Sequence, residues 1–243
     1  MIYHAVIFDL DGTLRESRPH FMDSLYTCLL DMGLSIDSFR WRMAERWVHA
    51  YWAQSPELIA DVAEYGSGRI WSRFLARLMA EVGRPHANDD EVGQFGERMR
   101  ARFQPVSELT PGALDVLTSL HDQHVVMGVL SNREKPFTDE LDRLGISHFF
   151  AFALSAGEIG VWKPRPEIFH VALKRIGVAP DQAVYIGDNY YADILGARNA
   201  DLDAILVDWR GVFTDMPGTR VENVRGILPY ILGDADILSQ KES

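Results

Sequence analysis

The stretch VIFDLDGTLRES, residues 6–17, decides how the rest of the chain is read. An apolar run with the look of a buried strand stops abruptly at two aspartates, Asp9 and Asp11, followed at once by Gly12. In open parallel sheets, ligands bind beyond the carboxyl ends of the strands. A pair of carboxylates placed there is therefore a candidate site. Gly12 lets the backbone turn sharply and come close to a ligand. Two carboxylates this close repel each other, so one pKa rises unless a cation lies between them. Two chemistries suit the pair: a hard divalent cation such as Mg2+, which prefers oxygen ligands, or a nucleophile working beside a general acid/base.

Working outward, four more short apolar runs read as strands. They are VVMGVLS (125–131), FAFALS (150–155), AVYIGD (183–188) and DAILVDW (203–209), and the first run extends as YHAVIFD (3–9). Several show no clean polar alternation, as expected of strands covered on both faces. Helix-like segments lie between them, with Pro near the start and Gly just past the end, as in PGALDVLTSLHDQ, KPFTDELDRLG and RPEIFHVALKRIG. Alternation of strand and helix predicts a parallel, Rossmann-like sheet in a three-layer α/β/α core.

Residues 15–106 break this rhythm. No strand-like run stands out there. Amphipathic stripes do, with Trp41, Ala44, Val48, Tyr51 and Trp52 on one and Ile70, Phe74, Leu78 and Val82 on another. Ser55 and Pro56 read as an N-cap and first helical position. The expectation is an all-helical insert over 15–106 in a core formed by 1–14 and 107–243. The aromatics Trp41, Trp47, Tyr51, Trp52 and Trp71 read as helix-packing core. Arg69, Arg73 and Arg77, four residues apart, read as a solvated ridge.

The composition, 47% hydrophobic and 24% charged over 243 residues, is that of a soluble globular chain. The single cysteine, Cys28, forms no internal disulfide and fits a reducing, cytoplasmic setting. No signal peptide or membrane span is expected, and a formal charge of −11 argues against general nucleic-acid or membrane binding. Any anionic ligand must then be drawn by local groups. A monomer and a homodimer are both compatible with the composition.

The other strand ends supply such groups. The second run ends in Ser131 and Asn132, a hydroxyl and an amide able to donate to anionic oxygens. After the third comes GVWKPRPEIF, with Lys163 beside two prolines, and the fourth leads into IGDNYYAD, with Asp188 and Asp193. Four carboxylates, a lysine and a hydroxyl are thereby predicted at one sheet edge. A metal and the lysine would balance much of the negative charge. A phosphate group would complete the set, held by Ser131, Asn132, Lys163 and backbone N–H groups near Gly12.

In this order, DLDGT, LSN, KPRPEIF and GDNYYAD closely resemble the four motifs of the haloacid dehalogenase-like hydrolases, in the subclass with a helical cap inserted after the first strand, phosphoglycolate phosphatase among its members. The resemblance runs over essentially the whole chain. It implies a Mg2+-dependent phosphatase acting on a small phosphorylated metabolite. Asp9 would form an aspartyl-phosphate, and Asp11 would protonate the leaving oxygen and then activate water. Ser131 would bind phosphate with Asn132 close by, and Lys163 would neutralise charge. Mg2+ would be held by Asp9, Asp188 and the Asp11 backbone carbonyl, with Asp193 in support. Arg15, just past the turn, is a candidate substrate contact. A phosphomutase, a 2-haloacid dehalogenase and a non-catalytic binding protein share the fold. Dehalogenases usually lack the second aspartate because a halide needs no proton, so Asp11 speaks against that activity. The family often has glycine where Asp201 stands, which bears on turn geometry and not on chemistry.

Overall fold

The computed structural model describes residues 2–233. Within them the chain divides into two compact units, one formed by residues 2–16 and 108–233, the other by Ser17–Ser107. The described residues form eight strands: β1 (Ala5–Phe8), β2 (Arg15–Arg18), β3 (Val106–Leu109), β4 (Val126–Ser131), β5 (Phe152–Ser155), β6 (Ala183–Gly187), β7 (Asp203–Val207) and β8 (Thr219–Val221). Six of them form one sheet in the order β5-β4-β1-β6-β7-β8, with every neighbouring pair parallel.

The pleat explains the apolar runs. On β1, Val6 and Phe8 enter one core while Ala5 and Ile7 enter the other, and all four are fully buried. β6 does the same, with Val184 and Ile186 on the first face and Ala183 and Tyr185 on the second. A strand buried on both faces has no polar side to show, hence the continuous hydrophobic sequence. Helix Ala113–Asp122 closes the first face with Val116, Leu117 and Leu120. Helix Pro166–Ile176 closes the second with Ile168, Phe169, Ala172 and Leu173. The chain runs from β1 to β4 and β5 on one side and returns to β6 on the other. The change of direction opens a crevice at the carboxyl ends of β1 and its neighbours.

Two features depart from the sequence reading. β8 adds a sixth strand to the core sheet. β2 and β3 pair as a separate two-stranded sheet where the chain leaves and re-enters the core unit, so residues 15–106 are not free of strand. The sequences RESR and VSEL carry little apolar signal because these strands cover no large core.

The second unit is built on helices Phe21–Asp31, Ser38–Trp52, Pro56–Tyr65, Ile70–Glu81 and Asp89–Arg102. Ser55 caps as expected, its side chain accepting from the Leu58 N–H at 3.0 Å. Trp41, Ala44, Val48, Tyr51, Phe74 and Leu78 are buried together. Phe74 gathers the aromatics, with its ring centroid 5.2–5.9 Å from those of Trp47, Tyr51, Trp52 and Trp71.

The arginine ridge is not simply solvated. Arg77 donates to buried Asp61 through Nε (2.6 Å) and a terminal nitrogen (2.8 Å), Tyr51 donates to the same carboxylate at 3.0 Å, and Arg73 lies over the Tyr65 ring. The Arg77 hydrogen bond is the chief reason the Asp61 carboxyl lies below the usual carboxylate range, against the opposing effect of burial. A folded-state pKa lowered in this way adds stability above the unfolded value of about 4, and that stability is lost as pH falls through the folded value. Asp61→Asn is expected to cost about 2–3 kcal/mol at neutral pH. The gap to wild type should narrow below about pH 4, as read by urea denaturation across pH.

Candidate active site

The site grows from the end of β1. The Asp9 N–H donates to the Ile186 carbonyl at 2.7 Å, so the register of β1 against β6 fixes where this carboxylate starts. The chain then turns, with the Leu14 and Arg15 N–H groups both donating to the Leu10 carbonyl. Gly12 takes a φ of +87°, and a Cβ there would stand 2.1 Å from Asp188 Oδ2. Only glycine permits both the turn and the approach of Asp188.

Lys163 is the hub. It is 2% exposed, and its ammonium donates to Asp9 Oδ1 (2.7 Å), Asp193 Oδ1 (2.6 Å) and the Tyr185 hydroxyl (2.9 Å). These use the three donors an ammonium has. The Tyr185 hydroxyl in turn donates a hydrogen bond to the Leu130 carbonyl at 3.1 Å. Burial disfavours the charge on Lys163, but Asp193 and Asp9 outweigh it and hold the lysine well above its ordinary pKa.

Asp193 sits in a single π-helical turn, Tyr190–Ile194, opened by Asn189, whose side chain accepts from the Tyr191 and Ala192 N–H groups. The wider turn carries Asp193 inward, where its Oδ2 accepts from the Asn189 N–H at 2.9 Å. At 1% exposure Asp193 is no surface residue placed for a helix dipole. Gly187 makes room for it, since a Cβ there would meet the Asp193 carboxyl carbon at 2.4 Å.

Asp9, Asp188 and Asp193 each offer a carboxylate oxygen, all within 4.8 Å of one another. Burial pushes the Asp9 carboxyl up, Lys163 opposes this, and Asp193 and Asp11 add to it, leaving the pKa at about 7. Asp188 keeps some exposure, yet burial, followed by Asp9 and Asp193, holds its pKa well above the ordinary value. A cluster of hard oxygens that resists its own ionisation is matched to a hard divalent cation.

Of the other expected residues, Ser131 ends β4 and is 2% exposed. Asn132 grips the Lys163 backbone both ways, Oδ1 accepting from the Lys163 N–H at 2.7 Å and Nδ2 donating to the Lys163 carbonyl at 2.9 Å. A carboxamide matches a peptide unit in donor and acceptor alike, so Asn132 holds the lysine loop. The Arg15 guanidinium is in an ion-pair network, donating to Asp11 Oδ1 at 2.9 Å and to Glu140 Oε1 at 3.0 Å. The Asp11 carboxylate is met from the other side by Arg133, through Nε and a terminal nitrogen, each at 2.7 Å.

The sequence reading did not single out Arg133, Glu140 or Tyr185. Arg133 had a signal, standing two residues after Ser131 at a strand end. Tyr185 is hidden inside an apolar run because its ring is core material and only its hydroxyl is polar. Glu140, in helix Thr138–Arg143, had none.

The family model of the haloacid dehalogenase-like hydrolases matches residues 3–201. The chain is 32% identical over 218 residues to a glyceraldehyde 3-phosphate phosphatase of Methanopyrus kandleri, covering 87% of this chain and 86% of that protein. It is 25% identical to a phosphoglycolate phosphatase of Pseudomonas fluorescens, covering 95% and 80% respectively. The fold is similar to the crystal structure of a predicted phosphoglycolate phosphatase from Haemophilus somnus, with a TM-score of 0.60 at 22% identity over 95% of this chain and 98% of that one. A match over residues 3–201, together with motif residues that meet around one lysine, makes this chain a member of the haloacid dehalogenase-like hydrolase family.

Proposed function

We propose that the protein hydrolyses phosphate monoesters of small metabolites through a covalent intermediate on Asp9. The observation that carries this reading is the buried Lys163 ammonium, bonded to Asp9 and Asp193, with Asp188 in the same carboxylate cluster. Asp9 forms a bond to phosphorus as the ester P–O bond breaks, and Asp11 gives a proton to the departing alkoxide. Water then attacks the phosphorus of the aspartyl-phosphate, Asp11 takes the proton, and the Asp9 carboxylate is restored as phosphate leaves. Lys163 holds Asp9 Oδ1, which orients the carboxylate. Ser131 binds the phosphoryl oxygens together with N–H groups of the turn at Gly12.

Asp9, Asp188 and the Asp11 backbone carbonyl would hold Mg2+, supported by Asp193. That ion supplies charge neutralisation for the phosphoryl oxygens and relieves repulsion between the carboxylates. The helical unit, inserted directly after the Asp11 turn, is proposed to carry substrate selection. Asp11 favours this activity over dehalogenation, because an alkoxide requires the proton that a halide does not.

The test is phosphate release from p-nitrophenyl phosphate, phosphoglycolate, glyceraldehyde 3-phosphate and phosphoserine, each with Mg2+ and with EDTA. Metal-dependent release is expected for at least one of the four, falling about 100-fold or more with EDTA. Release that ignores EDTA, or none across the panel, overturns the reading.

A further inference from the structure

We propose that Arg133 is a positioning residue that fixes the Asp11 carboxylate for proton transfer to the leaving group, with Glu140 as the anchor that holds Arg133 in place. The proposal rests on the phosphatase reading above. Its basis is a closed ring of four charged side chains. Arg133 donates to both Asp11 oxygens and, from its remaining terminal nitrogen, to Glu140 Oε2. Arg15 donates to Asp11 Oδ1 and to Glu140 Oε1. Each carboxylate therefore meets both arginines.

The ring gives Asp11 direction. The Asp11 side chain is 40% exposed, on a turn, where a carboxylate would ordinarily exchange rotamers with solvent. A planar guanidinium that takes both oxygens at 2.7 Å sets the plane of the carboxylate as well as its distance, and the three arginine N–H bonds leave one of the four lone-pair sites, on Oδ2, to carry the proton for the leaving group. Glu140 is better shielded, with its side chain 12% exposed. Arg133 also lies 5.6 Å from the Phe137 ring centroid, against the start of the same short helix.

Charge speaks against the simpler role of binding substrate phosphate. Two guanidiniums and two carboxylates sum to zero, so the ring adds no net attraction for an anion. Arg133 commits three of its five N–H donors, one from each nitrogen, to the two carboxylates of the ring.

A correctly aimed acid matters in proportion to the basicity of the leaving oxygen. The experiment compares wild type, Arg133→Gln and Glu140→Gln on p-nitrophenyl, phenyl and benzyl phosphate with Mg2+, reading kcat/KM. This parameter covers the steps through departure of the alcohol, so the later work of Asp11 on the aspartyl-phosphate does not enter. For Arg133→Gln the expected loss is about 30-fold or more on benzyl phosphate and about 3-fold or less on p-nitrophenyl phosphate, with phenyl phosphate between. Glu140→Gln should tilt the series the same way by a smaller factor, and it carries the test alone if Arg133→Gln does not fold.

Equal losses along the series overturn the proposal, since a purely structural defect does not distinguish leaving groups. A loss that follows negative charge on the substrate, seen with phosphoglycolate but not benzyl phosphate, makes Arg133 a substrate contact and overturns it as well. If wild type releases phosphate neither from these esters nor from phosphoglycolate, glyceraldehyde 3-phosphate or phosphoserine, the phosphatase reading itself has failed. Wild-type turnover with an untilted series defeats this proposal alone.

Discussion

Asp9→Asn is expected to lose at least about 10^4-fold in kcat on any ester the wild type accepts. The amide oxygen is a poor nucleophile, and intact-mass spectrometry of the variant mixed with substrate should find no phosphoenzyme. The loss is expected without unfolding. Burial holds the Asp9 carboxyl at about 7, well above its ordinary value, so the ionised group is a burden on the fold once the pH exceeds the unfolded value of about 4. A neutral asparagine removes that burden and can still accept from Lys163. In metal-free buffer at pH 8 the variant should melt no lower than wild type. A variant that keeps more than about 1% of wild-type turnover would remove Asp9 from the role of nucleophile, and one that melts far lower would show that the buried carboxylate is no burden on the fold.

Lys163→Met should damage both fold and activity. It leaves the carboxylates of Asp9 and Asp193 facing each other in a buried site and strips the Tyr185 hydroxyl of its donor. Removing one partner of a buried ion pair costs about 3–5 kcal/mol, and with the Lys163 side chain 3% exposed there is little solvent screening to soften this. The deficit should widen as pH rises, because the carboxylates of the variant must then ionise without their counter-charge. Lys163→Arg is not expected to rescue, since a planar fork cannot direct three bonds tetrahedrally. Guanidinium denaturation from pH 5 to 8, beside phosphate release, checks both effects. A variant as stable as wild type at pH 8 would mean that the ammonium is not the hub.

The sheet was legible because strands covered on both faces must be apolar throughout, as Ala5–Phe8 and Ala183–Gly187 are. The site at its edge was legible because chemistry at strand ends leaves polar residues directly after apolar runs, as with Asp9, Ser131 and Asp188. What escaped reading depends on partners far away in sequence. Arg15 and Glu140 are 125 residues apart, and nothing local marks them as neighbours. Asn132 was legible as a polar group near the site, but whether it faces a ligand or the Lys163 backbone depends on the path of another loop. β8 is three residues long and partly polar, and β2 and β3 owe their form to pairing with each other more than to burial. Asp201, where the family resemblance suggested glycine, takes a φ of +60°, a left-handed turn that an aspartate side chain tolerates.

The alternation along β1 has a consequence for how the protein can change over time. Because neighbouring residues point to opposite cores, adding or deleting one residue before Asp9 would swap Val6 and Phe8 with Ala5 and Ile7. It would also rotate Asp9 half a turn away from Lys163. The aim of the proposed nucleophile is thus inherited from the fit of the interior, and lineages free to vary in loop length are held to a fixed count of residues here.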